Sequence, residues 1–317
     1  MPQTSANVPP GRNRLRSARL PLLALVALLL CACAGRASTT AATTEPSQAR
    51  SAQAQSLRAG GVDLDYLDLA PQAPVQAKGR PLLLITGYAV TKEMWDQRLV
   101  QELAAHRRVI LLDNRGMGPS PAPAAPFTIA DMARDAAALL DALGIERADV
   151  LGWSMGGMTA QELALARPEL VASLVLYATA PDSAELMPVL DRMAALPPPQ
   201  LQAAMFPPAW AKAHPQALAT LPARLRAPDM SIISRQYAAM RAWGGTQGRL
   251  ARLAMPVLLL AGGQDWVCPA EQSRRMAEAI PGARLVVLPQ GGHWLMHQQP
   301  EELARQVEDF LCTGARR

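Results

Sequence analysis

Ser154 stands in the string Gly152-Trp153-Ser154-Met155-Gly156-Gly157. A serine hydroxyl is a poor nucleophile near neutral pH, so it attacks a carbonyl only when a base takes its proton and an acid holds that base. Four histidines could supply the base: His106, His214, His293 and His297. His293 lies in Pro289-Gln290-Gly291-Gly292-His293-Trp294, a loop just after a predicted strand, where the glycines let the backbone turn the ring across a sheet edge. His106, beside Arg107 and Arg108, is expected in solvent, His214 on the surface or a lid, and His297 as a capping or packing residue. For the acid, Asp265 is the first choice, in Leu260-Ala261-Gly262-Gly263-Gln264-Asp265-Trp266-Val267-Cys268-Pro269 beyond a second buried strand. Asp182, after Ala178-Thr179-Ala180-Pro181, is the competitor.

The elements that must position these groups follow from hydrophobic pattern. Residues 62–69 (VDLDYLDL) alternate as a half-exposed strand does, while 82–85, 109–112, 148–153, 171–177, 257–261 and 284–288 read as further strands. Helices are predicted over 92–105, 129–143, 155–166, 270–280 and 300–311, the second opening after the capping candidate Thr128 and stopping at Gly144. Strands alternating with helices predict an α/β fold, a mostly parallel sheet with helices on both faces. Alternation stops over about 182–250, a stretch rich in Met and Pro that is expected to be a helical cap lying over the sheet. Its methionines could pack the insertion or line a pocket that adapts to apolar ligands. Ser154 falls between a strand and a helix, where a sharp turn strains the serine backbone and requires Gly152 and Gly156 to lack bulk.

This arrangement resembles the α/β-hydrolase fold, in the serine-hydrolase group of carboxylesterases, lactonases and cofactor-free haloperoxidase-like perhydrolases. The resemblance covers about residues 57–311. It includes Asp113-Asn114-Arg115-Gly116-Met117-Gly118-Pro119-Ser120, similar to the family's D-x-R-G-x-G-x-S loop, in which Asp113 and Arg115 are expected to be structural. The chain order Ser, Asp, His also matches. An oxyanion hole needs two main-chain N–H donors. Met155 is expected to give one and Tyr88 the other, in Thr86-Gly87-Tyr88 where the family has a His-Gly pair. Trp153, Trp266 and Trp294 adjoin the triad and favour an apolar acyl or alkoxy group. The expected reaction is hydrolysis of a small to medium apolar ester or lactone through an acyl-enzyme, with no cofactor and no metal. Perhydrolysis or C–C bond hydrolysis by the same triad, and a non-catalytic envelope binding protein, are the alternatives.

Composition sets the outer limits. The chain has 317 residues, 50% of them hydrophobic and 18% charged, which excludes a disordered chain, and its mean hydropathy of +0.05 excludes a polytopic membrane protein. The net charge of +5 could suggest nucleic acid, yet Arg12, Arg14, Arg16 and Arg19 lie in residues 1–32 with no acid, leaving +1 without them. That segment, basic and then apolar over residues 20–30, is expected to be an export signal. Leu30-Cys31-Ala32-Cys33 resembles a bacterial lipobox, which would lipidate Cys33 and anchor the chain facing the periplasm; Ala32-Cys33-Ala34 fits ordinary secretory cleavage to a soluble product. Residues 33–56 read as a flexible tether and 57–317 as the folded domain. Cys268 and Cys312 are expected to be buried and unbonded, since they lie too far apart in this layout. Neither a nucleic-acid pattern nor an oligomeric state is legible.

Overall fold

A computed structural model describes residues 54–71, 79–121, 125–221 and 229–314. The expected signal, Cys33 and the tether up to residue 53 lie outside the described residues. Eight strands form one sheet: β1 (Ala54–Ala59), β2 (Val62–Leu69), β3 (Leu82–Ile85), β4 (Val109–Leu112), β5 (Ala148–Trp153), β6 (Val171–Tyr177), β7 (Val257–Gly262) and β8 (Arg284–Leu288). Their order is β1-β2-β4-β3-β5-β6-β7-β8. A hairpin joins β1 to β2, β2 runs antiparallel to β4, and every other neighbouring pair is parallel.

The interior strands β3 to β7 are buried at every residue, which is why they read as continuous apolar runs. Alternate side chains leave by opposite faces. Leu83, Ile85, Val150 and Leu174 meet α2 (Ile129–Ala142), α3 (Met155–Ala166) and α9 (Ala270–Ala279). Leu82, Leu84, Leu151 and Val175 meet α1 (Gln97–Ala104) and α11 (Pro300–Gly314) on the other face. Thr128 caps α2 through a reciprocal bond pair with Asp131, as its position suggested.

Between β6 and β7 no described strand occurs. The chain instead forms α4 (Leu186–Met193), α5 (Pro198–Ala204), α6 (Pro208–Ala213), α7 (Pro215–Thr220) and α8 (Met230–Ala242), then a 3-10 turn at Gln247–Arg252. Met187, Met205, Phe206 and Met240 from this insertion pack against Met155, Met158 and Val267, so its apolar residues join the loops at the carboxyl edge of the sheet.

Four details differ from expectation. The predicted helix over 92–105 is split into a 3-10 turn, Lys92–Met94, and α1, because Asp96 is extended and its side chain accepts the Arg98 N–H as a new cap. β1 takes in Ala54, Gln55 and Ser56, which pair with Leu67, Tyr66 and Asp65; an edge strand with so few apolar residues carries little signal. A short helix α10 (Leu295–Gln298) precedes α11. Finally, α11 runs on to Gly314 and turns Cys312 outward, so that thiol is exposed rather than buried, while Cys268 is buried and both are free.

Candidate active site

β5 delivers Ser154 at φ 55 and ψ −120, and α3 begins at the next residue. For a residue with a Cβ this conformation costs roughly 1–3 kcal/mol and must be imposed from outside. Ser154 N–H donates to Tyr177 O at 3.0 Å, Thr179 Oγ1 donates to Ser154 O at 2.7 Å, and Gly157 N–H donates to the same carbonyl at 2.9 Å. The turn closes only because glycine flanks it. A Cβ on Gly156 would lie 2.1 Å from Ile85 O, and one on Gly152 would lie 2.3 Å from Gly156 O.

Asp265 and His293 come from the loops after β7 and β8, which touch. Gln264 N–H donates to Gly291 O at 2.9 Å, Gly263 N–H donates to Leu288 O at 2.8 Å, and a Cβ on Gly262 would meet Gly291 O at 2.4 Å. The Asp265 Oδ1 atom accepts the Val267 and Cys268 N–H groups at 2.8 and 2.9 Å. That leaves Oδ2 for His293 Nδ1, at 2.8 Å, and His293 Nε2 lies 3.2 Å from Ser154 Oγ. All three side chains are nearly enclosed, with Ser154 8%, Asp265 4% and His293 5% exposed, so bulk water does not compete for these bonds. Tyr177 was not singled out from sequence. Its hydroxyl donates to His293 O at 3.0 Å and accepts the Met296 N–H at 3.1 Å, while burial pushes its pKa up and keeps it a neutral donor. A tyrosine closing a fully buried strand was the only available signal.

The competitors lie elsewhere. Asp182 Oδ1 accepts the Ala184 N–H in a local turn. His106 is exposed, and exposed His214 stacks on Trp210 with ring centroids 4.5 Å apart. His297 is buried with Nδ1 3.3 Å from Asp96 Oδ2.

Residues 113–120 brace the floor beside β3. The Asp113 carboxylate accepts the Lys92 N–H and Nζ at 2.5 and 2.8 Å, and Lys92 Nζ also reaches Asp65. Asn114 Nδ2 donates to Thr86 O at 3.1 Å, Arg115 forms a two-bond pair with Asp135, and Ser120 Oγ accepts the Asp65 N–H at 2.8 Å. Gly118, at φ 57, lets Asp113 in, since a Cβ there would lie 2.3 Å from its Oδ2. The loop's charged groups are thus spent on structure, and sequence reading missed Lys92, which sits in what looked like an ordinary helix.

Tyr88 and Met155 follow β3 and Ser154 respectively, placing the loop after β3 alongside the elbow; a Cβ on Gly87 would lie 3.4 Å from Ser154 Cβ. Trp153 is 2% exposed, edge-on to Trp95 and stacked near Tyr177, so it packs behind His293, whose ring centroid is 5.9 Å away. Trp266 and Trp294 are half-buried against the insertion: Trp266 Nε1 donates to Ala204 O, and Trp294 meets Phe206 edge-on at 5.7 Å. Among the described residues no cluster of His, Cys, Asp and Glu could hold a metal ion.

Known proteins share this architecture. Residues 82–306 match the model of the alpha/beta hydrolase family. A putative carbamate hydrolase, RutD, of Pseudomonas savastanoi pv. phaseolicola is 34% identical over 242 residues, covering 73% of this chain and 93% of that one. The solved thermophilic esterase from Thermogutta terrifontis superposes with a TM-score of 0.71 at 27% identity, over 83% of this chain and all of that one (100%). The enol-lactonase from Burkholderia xenovorans gives 0.71 at 25% identity, over 81% and 100%. By family model, sequence and fold, the chain belongs to the alpha/beta hydrolase family.

Proposed function

We propose that this hydrolase cleaves carboxylic esters or lactones through an acyl-enzyme on Ser154. The observation that carries the reading is the line Asp265 Oδ2, His293, Ser154 Oγ, with contacts of 2.8 and 3.2 Å, ending on a serine held at φ 55. Asp265 keeps the Nδ1 proton on His293, so Nε2 is free to accept. Ser154 Oγ bonds to the carbonyl carbon as its proton passes to Nε2, and the oxyanion falls to the N–H groups of Met155 and Tyr88. Nε2–H then gives that proton to the leaving alkoxide as the C–O bond breaks. Water attacks the acyl-enzyme by the same route in reverse, releasing the acid and Ser154.

Half-buried Trp266 and Trp294, beside an insertion rich in buried Met, support an apolar acyl or alkoxy group under a helical cap. The likeness to a putative carbamate hydrolase favours one extension, attack on a carbamate carbonyl, which needs the same base and the same donors. A fluorophosphonate should label the protein at Ser154. Label that persists in Ser154→Ala would overturn the nucleophile, and a wild type that turns over nothing in a panel of aryl esters, lactones, carbamates and peroxide-driven perhydrolysis would favour a binding role.

Residues 1–32 support a second proposal, export with a lipid on Cys33. Incorporation of an alkyne-palmitate in a bacterial host, abolished in Cys33→Ala, is the expected result. Unlabelled protein found soluble outside the cytoplasm would favour secretory cleavage instead.

A further inference from the structure

The loop that carries the Tyr88 N–H has to be held from outside the sheet, because β3 ends at Ile85 and the backbone then turns through Ala89 at φ 61. An alanine keeps that conformation only where its surroundings impose it. Here the restraint comes from the insertion. Gln236, on α8 and 0% exposed, accepts the Ala89 N–H on Oε1 at 3.0 Å, from 147 positions away. Ile232 and Ile233, from the same helix, pack with Ala89 and Met117, and a Cβ on Gly116 would lie 2.7 Å from Ile232 Cδ1. One helix therefore presses on the loop after β3 and on the loop after β4 that braces it.

Gln236 Nε2 is buried and has no hydrogen-bond partner among the described residues. Leaving an amide N–H₂ unsatisfied costs its desolvation with nothing in return, so an apolar side chain of similar shape would serve a purely packing contact better. What the amide supplies, and an apolar chain cannot, is the acceptor for Ala89.

We propose that Gln236 is a positioning residue: its Oε1 fixes Ala89 and so aims the Tyr88 N–H at the oxyanion, which makes α8 of the insertion part of transition-state binding. The proposal rests on the acyl-transfer reading above. Misplacing a donor by about 1 Å costs up to about 100-fold in rate, less than deleting it outright.

The test is the second-order rate of Ser154 labelling by a fluorophosphonate, which passes through an oxyanion and needs no known substrate. Gln236→Met should slow it about 10- to 100-fold, with the thermal midpoint little changed. Gln236→Glu, which still offers an oxygen to Ala89, should recover most of the rate. Should the Met variant not fold, Gln236→Asn, whose amide is one methylene too short to reach, should show the same loss. On any ester that is turned over, the deficit should fall on kcat and leave KM nearly unchanged. Gln236→Met labelling at the wild-type rate, or a loss that Gln236→Glu does not recover, would overturn the positioning role. Absence of label in the wild type, or label surviving Ser154→Ala, would instead overturn the acyl-transfer reading itself.

Discussion

Asp265 divides its two oxygens between two jobs, and that division predicts what an isosteric change does. Oδ1 is claimed by the Val267 and Cys268 N–H groups, and Oδ2 by His293 Nδ1. In Asp265→Asn the single amide oxygen will stay with the two backbone donors, since turning it away would set an N–H₂ against two N–H groups. The amide nitrogen then faces Nδ1, forcing the imidazole into the tautomer that carries its proton on Nε2, where it cannot accept from Ser154. Stability should change little while kcat falls about 10⁴-fold, the loss known for the corresponding change in a serine protease. Labelling rate and thermal midpoint, measured together, check it; a variant within 10-fold of wild type would remove Asp265 from the role. Ser154, His293 and Asp265, which the structure brings together, were legible because each stands in a glycine-marked loop after an apolar run. Tyr177, Thr179 and Gln236 were not, because what matters about them is which backbone atom they reach, and no spacing in the chain encodes that.

Among the elements, the 3-10 turn Lys92–Met94 does the least expected work. It sinks Lys92 between Asp65 of β2 and Asp113 at the end of β4, where two carboxylates raise the ammonium pKa above its ordinary value against the opposing effect of burial. Burial holds the Asp113 carboxyl up at about 6 even with Lys92 pulling the other way. The predicted helix over 92–105 is interrupted just past this turn, where Trp95 and Asp96 are extended and Asp96 caps the helix that follows. Removing the cation leaves two buried acids unpaired, so Lys92→Met should cost about 3–5 kcal/mol near neutral pH. The sign with pH follows from Asp113. A carboxyl whose folded value exceeds its unfolded value of 3.8 favours the fold when protonated, and that contribution is lost as pH rises through the folded value of about 6. Without Lys92 the folded value moves higher still. The deficit of the variant against wild type should therefore shrink between pH 7.5 and pH 5, as read by denaturant unfolding at both. An equal deficit at both would mean the acids are paired by something else.

Across the whole molecule, the sheet order places β5 between β3 and β6, so the elbow at its carboxyl end is flanked by the Tyr88 loop on one side and reached from the other by the loops after β7 and β8. A parallel sheet was legible from alternating apolar runs and amphipathic segments, but its strand order was not, since one buried run looks like another. The insertion was legible as helical, and the helices begun at Pro198, Pro208 and Pro215 carry a visible start signal. Its grip on the loops after β3 and β8 was hidden, being made by contacts between residues far apart. The opposite edge of the sheet is held by a similar long-range contact. Arg107, 2% exposed, donates to Asp149 of β5 at 3.2 Å and to both oxygens of Glu308 on α11 at 2.9 and 2.6 Å. Burial pushes the Asp149 carboxyl up, and the Arg107 guanidinium, with Ser173 and Arg80, opposes that shift. Arg107→Met would strand Asp149 and loosen α11, costing about 3–5 kcal/mol in denaturant unfolding at neutral pH. Because Asp149 lies near the start of β5 and Ser154 beyond its end, the folded variant should label with fluorophosphonate at the wild-type rate. A slowed rate in fully folded protein would mean that the two ends of β5 are energetically coupled, whereas unchanged stability would mean that water replaces the guanidinium at no cost.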